Sequence, residues 1–522
     1  MTSVCIYFQV HQPYRLKWFW PDEHLPKNLE ERYFDTGLNE WTLHKVAGKC
    51  YWPANQNILY NIDQLKGEKR PFKLSYSISG IFLEQCERWE PDLLETFKQM
   101  AETGCVEFIC ETYYHSLSSL FEDCGEFKEQ VKQHKQTLKD LLGYTPQVCR
   151  NSELLYHNGI AEAIEELGFK ATITEGIERV LEGWKSPNYI YRAKDSDLRV
   201  LLRNYKLSDD IGYRFGSKWW EEYPLDAGKY AYWLSAIQGD TINIFMDYET
   251  FGEHQWEDTG IFWFLNALPY KILDHEHLEF NTPSEVIEKY YAVGELNVPW
   301  YETVSWADLE RDASAWLSNH MQHLNFAELK RLHDAVIKSR NPQLQRIWRM
   351  FQTSDHFYYQ CTKSLADGDV HKYFSHHGTP YDAGINYHAI ISDFKEQVLL
   401  GNASKETYTP DYKKHGEEMS SHEAEKNFEK PVESETVVKK WVQPETVIER
   451  PTEQKPVVKN PVEEPSSEEN PIIELSKMIA SKKSKAYHPG KKPVAREKKR
   501  HVFDESAIKP YQKVKTRRQK RK

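Results

Sequence analysis

A parallel α/β sheet, open or closed into a barrel and followed by a helical segment, is the fold class that this 522-residue sequence predicts. Two patterns point to it. From residue 1 to about 290, short β-like runs alternate with helical ones, and such alternation builds parallel sheets. Three of the runs also stop abruptly on polar, chemically capable residues. Val4 to Val10 runs into His11-Gln12-Pro13, Val106 to Cys110 into Glu111 and His115, and Ile242 to Met246 into Asp247, Glu249 and His254. Parallel α/β folds place their sites where strands end and loops begin.

The strands expected are 3–10, 73–79, 106–110, 171–174, 198–203 and 242–247. Between them, 91–103 reads as a helix opened by Pro91 and closed by Gly104, 127–142 as one closed by Gly143, and 159–167 as one closed by Gly168. Proline in the first turn and glycine just past the end are the ordinary helix punctuation. Thr282-Pro-Ser-Glu285 is a capping box, and Gly294 is expected to close its helix. Beyond Trp306 the apolar period stays helical over 308–320, 325–338, 342–364 and 386–400. From about 402 the period disappears and Glu, Lys and Pro take over, with a loose refrain at Lys430-Pro-Val-Glu, Lys455-Pro-Val-Val and Lys492-Pro-Val-Ala. A segment of that composition buries too little apolar surface to offset its ordering entropy, so 402–522 is expected to be disordered.

The net charge of −11 divides unevenly: residues 401–522 carry 28 Lys+Arg against 20 Asp+Glu, leaving 40 against 59 in the first 400. An acidic globular part argues against nucleic acid as substrate and suits a neutral ligand. The last 42 residues hold 17 Lys+Arg and 3 acids. That basic end reads either as a solvated tail or as a tether to an acidic partner. Eight scattered cysteines without a C-x-x-C, an N-terminus without a basic n-region, and no run of ~20 apolar residues all fit a reduced cytoplasmic protein. Trp (16) and Tyr (31) are abundant. They supply both core and the flat rings on which sugar faces stack.

A lone carboxylate at a loop start is commonly an ion pair or a helix cap. Two at separate strand ends, Glu111 and Asp247, suggest the acid and nucleophile that glycosidic cleavage needs. Glu249 is a rival to Asp247. His11, His115 and His254 lie beside the same strand ends, but without H-E-x-x-H or another metal-ligand spacing they read as hydrogen-bonding groups for sugar hydroxyls.

In chain order, His11-Gln12-Pro13, Gly80 to Gln85, Glu107 to Ser116, Met246 to Gln255 and Ser305 to Leu317 resemble the five sequence blocks of glycoside hydrolase family 57, in its α-amylase-like branch. Arg150-Asn-Ser-Glu153 and Asp209 to Phe215 are similar to that branch too. The resemblance covers roughly residues 1–400 and not the tail. It implies an incomplete (β/α)7 TIM-like barrel over 1–290, a helical subdomain over 291–401 that completes the cleft, and a retaining mechanism on α-linked glucans with no cofactor and no metal. By position it makes Glu111 the nucleophile and Asp247 the general acid/base. His11, Trp306, Asp308, His254 and Arg214 would bind the sugar. Many members have a histidine where this chain has Gln9, so contacts near the cleaved bond are expected to differ. Hydrolysis of α-1,4 links in starch, glycogen or maltooligosaccharides is the leading activity. A 4-α-glucanotransferase would use the same pair of carboxylates. A catalytically weak glucan-binding scaffold is the third option, and retention of both carboxylates argues against it.

Overall fold

The computed structural model describes residues 1–21, 25–363 and 375–403. Strand β1 (Thr2–Val10) pairs in parallel with β2 (Leu74–Ile78) on one side and β7 (Thr241–Asp247) on the other, and β2 pairs in parallel with β3 (Val106–Phe108). The ladder continues through a very short segment at 148–150, where Cys110 bridges Cys149 and Val148 bridges Ala171 of β4 (Ala171–Glu175). β4 then pairs in parallel with β6 (Arg199–Arg203). The Asn204 amide donates to the Asn243 carbonyl at 2.9 Å, and Asn243 Nδ2 to the Leu202 carbonyl at 2.9 Å, which returns the ring to β7. Three short strands lie outside this ring. β5 (Tyr191–Ala193) runs antiparallel to β6, β8 (Leu278–Phe280) pairs with the start of β1, and β9 (Glu295–Leu296) pairs with β5.

Residues from Ser3 to Val10 are all buried, as expected of a strand covered on both faces. Period-2 alternation divides them. Val4, Ile6, Phe8 and Val10 face the surrounding helices, whereas Cys5 and Tyr7 turn inward with Ile109, Val148, Ile173, Leu201 and Phe245. This inner layer plugs the barrel. Tyr7 and Phe245 meet edge to face at 5.3 Å, a pairing worth about 0.5–1.5 kcal/mol beyond its buried area. One step further along the strands, the register sets Gln9 against Ser77 and Asp247. The inward positions are polar there, so chemistry begins directly above the apolar plug.

All six expected strands are present. Helices Pro91–Glu102, Gly125–Leu142 and Asn158–Glu166 also follow their predicted punctuation, with Gly104, Gly143 and Gly168 all at positive φ. Other expectations fail: the helix expected over 342–364 is two, Pro342–Met350 and Ser354–Tyr358, and the one over 325–338 is divided at Leu332. The capping box at Thr282 opens a helix that ends at Lys289, because Tyr290 already turns to extended backbone, so Gly294 closes nothing. Residues 308–320 are turns around a single 3-10 turn at Ala313–Ala315. Asp308 and Arg311 sit at φ +64 and +52, and the Asp312 side chain accepts from the Ser314 amide. Local side-chain bonds there outcompete the helix that the apolar spacing suggests.

Helices His320–Arg331, His333–Ser339, Pro342–Met350, Ser354–Tyr358 and Pro380–Ala403 follow. Trp348, Phe351, Phe357, Tyr387 and Phe394 pack together with Tyr14, Tyr33 and Phe34 from the segment after β1. Arg32 Nε donates to Asp393 at 2.7 Å across the same seam. Of the expected disordered tail, residues 402–403 end the helix Pro380–Ala403, and the rest, with its basic end, lies outside the described residues. Among those described, no helix is long and apolar enough to cross a membrane.

Candidate active site

A cavity of about 210 Å³ opens at the C-terminal ends of the barrel strands. Of the residues expected to act, His11, Asp247, His254, Trp306 and Asp308 line it. Arg214 does not: its Nε donates to Asp210 at 2.7 Å and its guanidinium lies 5.6 Å from the Trp220 ring centre. Glu111 is also absent from the lining. It is fully buried, and its oxygens accept from Gln9 Nε2 (2.9 Å), Ser77 Oγ (2.7 Å) and His115 Nδ1 (2.7 Å).

Glu153 does line the cavity with Asp247, as do Glu249, Asp308 and Asp355. Glu153 follows the short segment at 148–150 as Glu111 follows β3. Its backbone is held at φ +59, and the next residue, Leu154, at φ +52. Such left-handed residues cost of order 1–3 kcal/mol each and persist where their surroundings fix them. Here Trp306 Nε1 donates to Glu153 Oε2 at 2.8 Å, Ser354 Oγ to Oε1 at 2.7 Å, and His115 Nε2 lies 3.3 Å from Oε1. The helical segment therefore reaches into the site through Ser354 and its neighbour Asp355, which is 2.9 Å from His11 Nε2.

The electrostatics separate these groups. For Glu153, burial opposes ionisation, but the hydrogen bond and charge of His115, with the donors Trp306 and Ser354, hold its carboxyl below the ordinary value. For Asp247, burial and then the Glu153 carboxylate push the group up to about 7, against the pull of His115, Arg150 and Arg203. Glu249 sits in the turn Tyr248–Thr250 and also lines the cavity. Burial and Asp247 raise it to about 8, while Tyr51 donates to it and the His11 amide approaches at 3.3 Å. Burial pulls His115 down, but Glu111 and Glu153 outweigh it and raise the imidazole to about 9. Burial and His115 keep His11 below its ordinary value, and burial takes His254 down to about 4. At neutral pH the site thus holds an ionised Glu153, a largely protonated Glu249, a cationic His115, and an Asp247 close to its titration point.

Trp306, whose indole orients Glu153, has the guanidinium carbons of Arg150 and Arg203 at 5.9 and 5.8 Å from its ring centre. Arg203 belongs to a buried quartet with Glu175 (3.0 Å), Asp209 (2.7 Å) and Arg311, which itself reaches Asp209 at 2.7 Å. Asp308 is neutralised by Lys363 at 2.7 Å. Gln9 lines the cavity and ties Tyr7 to Glu111. Among the described residues, no group of three or more His, Cys, Asp or Glu side chains is disposed to hold a metal ion.

Comparison with known proteins gives a consistent picture. The family model for glycosyl hydrolase family 57 matches residues 5–299. The chain is 47% identical over 402 residues to a Methanocaldococcus jannaschii protein named "Putative alpha-amylase", covering 75% of this chain and 84% of that one. Two solved structures share the fold. A family 57 branching enzyme of Thermococcus kodakaraensis has a TM-score of 0.58 at 15% identity, over 77% of this chain and 91% of its own. The alpha-amylase of Thermotoga maritima has a TM-score of 0.52 at 14% identity, over 77% of this chain and 94% of its own.

Proposed function

The chain belongs to glycosyl hydrolase family 57, and from that premise we propose that it hydrolyses α-1,4-glucosidic bonds with retention, using Glu153 as nucleophile and Asp247 as general acid/base. One observation carries the reading. Of the carboxylates that line the cavity, Glu153 and Asp247 are pushed by their surroundings to opposite charge states, Glu153 towards the anion and Asp247 towards the acid. That division supplies the proton donor and the anionic carboxylate that glycosidic cleavage needs.

In the first step Glu153 attacks the anomeric carbon while Asp247 gives its proton to the departing glycosidic oxygen, leaving a glycosyl ester on Glu153. In the second, ionised Asp247 takes a proton from water as the water oxygen displaces Glu153, which restores both groups. The ester bond formed in the first step is the bond broken in the second. Glu111 is not given the attack, since it is sealed beneath Gln9, Ser77 and His115. Trp306, His11, His254 and Asp308 are assigned to the sugar by their place on the cavity wall. Cys5, Cys50, Cys86, Cys105, Cys110, Cys124 and Cys149 are free thiols, which supports a reducing compartment such as the cytoplasm.

The test is product analysis of the full chain on maltoheptaose, beside Glu153→Gln and Asp247→Asn. Shorter products alone, first released as the α-anomer and lost in both variants, are expected. Longer products would move the activity to glucan transfer, an initial β-anomer would exclude retention, and turnover surviving in Glu153→Gln would remove that residue from the chemistry.

A further inference from the structure

Glu111 touches none of the cavity's open space, yet it is joined to the cavity by one side chain. Its three side-chain donors come from three strand ends: Gln9 from β1, Ser77 from β2 and His115 from its own loop. Its backbone amide donates to His134 Nδ1 at 3.1 Å, while His134 Nε2 is 2.7 Å from the Ile78 carbonyl. That pairing fixes His134 as the neutral Nε2–H tautomer, so it brings no charge. Arg150 Nη2 stands 3.8 Å from Oε2. The carboxylate is thus anionic, saturated and immobile.

His115 spans the gap to the substrate side. Nδ1 is 2.7 Å from Glu111 Oε2 and Nε2 is 3.3 Å from Glu153 Oε1, so both ring nitrogens can donate only if the imidazole is doubly protonated. Its backbone is at φ +50 and its ring stacks on His11 at 4.1 Å. His11 is pinned in turn by Ser79 (2.8 Å) and Asp355 (2.9 Å). An ion pair that merely held the barrel together would have no need of a second carboxylate on the far side of the ring.

We propose that Glu111 is a positioning residue for Glu153: acting through His115, it keeps an imidazolium against the nucleophile without meeting substrate itself. The proposal rests on the assignment of Glu153 as nucleophile. The charged and titratable groups facing His115 are Glu111 from the loop after β3, Glu153 from the 148–154 loop, His11 from the end of β1 and Asp355 from helix Ser354–Tyr358; Arg150 and Asp247 act from further out. Removing the Glu111 charge takes away the largest of the influences that keep His115 protonated, while burial continues to oppose it. Glu153 then loses its cation and becomes harder to ionise.

The experiment compares pH profiles of kcat/KM on maltoheptaose for the full chain, Glu111→Gln, Glu111→Asp and His115→Gln. The acid limb, which reports ionisation of the nucleophile, is expected to move to higher pH by roughly one unit in Glu111→Gln, the size of effect that an adjacent opposite charge exerts. It should move the same way in His115→Gln and no further in the double variant. Glu111→Asp keeps the charge and should restore the limb, and kcat should fall more than KM rises in Glu111→Gln. A folded Glu111→Gln with an unmoved acid limb overturns the proposal. Where that variant does not fold, an unmoved limb in His115→Gln overturns it equally. The underlying assignment is read separately. Azide added to Glu153→Gly with an α-maltosyl fluoride should yield a maltosyl azide, azide taking the place of the missing carboxylate at the anomeric carbon as fluoride leaves. Absence of that product would remove Glu153 as nucleophile whatever the pH profiles show.

Discussion

Asp247→Asn should stabilise the fold above neutral pH while abolishing turnover. The carboxyl of Asp247 is raised from the usual 3.8 to about 7 by burial and by Glu153. A group whose folded value lies above its unfolded value favours the folded state at low pH and loses that advantage as pH rises through the folded value. Asp247 therefore costs almost nothing near pH 4, and the cost grows at about 1.4 kcal/mol per pH unit until it levels off above pH 7. Three pH units set an upper bound of about 4 kcal/mol. The side chain borders an open cavity, and solvent there reduces the expected figure to about 2–4 kcal/mol. Asparagine carries no titrating proton, so the difference between variant and parent isolates this one group. Glu249, relieved of a charged neighbour, adds to the gain. The assay is urea unfolding of both proteins at pH 4, 5.5, 7 and 8, with turnover measured alongside. The variant should match the parent at pH 4, pull ahead between pH 5 and 7, and show turnover lower by about 10²–10⁴. A stability difference that does not change with pH would refute the reasoning, because it would mean that Asp247 is not ionised against burial.

Two further substitutions examine the scaffold. Arg203→Met leaves Glu175 and Asp209, both buried, with Arg311 as the remaining cation, and should cost about 3–5 kcal/mol in urea unfolding. Glu175 is already raised by burial, so that loss should be largest at high pH and shrink as acid protonates the orphaned carboxyl; an equally stable variant would show that the quartet does not hold β4 to β6. Gly252→Ala forces a Cβ to 2.2 Å from the Lys49 carbonyl oxygen at φ +117. It should destabilise by at least about 2 kcal/mol and raise KM by displacing the loop that carries Glu249 and His254, whereas unchanged stability and KM would mean that the loop can move aside freely.

How far the sequence reveals this molecule depends on segment length. Strands of five or more residues, such as Thr2–Val10 and Thr241–Asp247, announce themselves as apolar runs, and the carboxylate at the end of the second is legible from the strand alone. The segment at 148–150 makes one bridge to Cys110 and one to Ala171. It is too short to register as a run, so the acid that follows it escapes the same strand-end rule. By the strand-end rule alone, Glu153 and Glu111 are equals. Even then, residue order does not reveal which of two strand-end acids tops the cavity and which is sealed beneath Gln9, Ser77 and His115. That depends on partners up to 102 residues away for Glu111 and on Trp306 and Ser354, 153 and 201 residues away, for Glu153. Arg214 stays off the cavity wall for a related reason: an aspartate one helical turn earlier pairs with it.

The reach of the helical segment into the site bears on how the protein is made. Ser354 bonds Glu153 across 201 residues and Asp355 meets His11 across 344, so both closures wait on chain that is synthesised long after the barrel strands. Non-local contacts of this separation form late, because the entropy of closing the intervening chain is lost before any contact repays it. A ribosome-bound intermediate can hold the complete ring of strands and still lack the Ser354 hydroxyl that bonds Glu153. Completion of the site is thereby deferred to the end of folding, and a growing chain carries no finished cavity wall until its helical segment has docked.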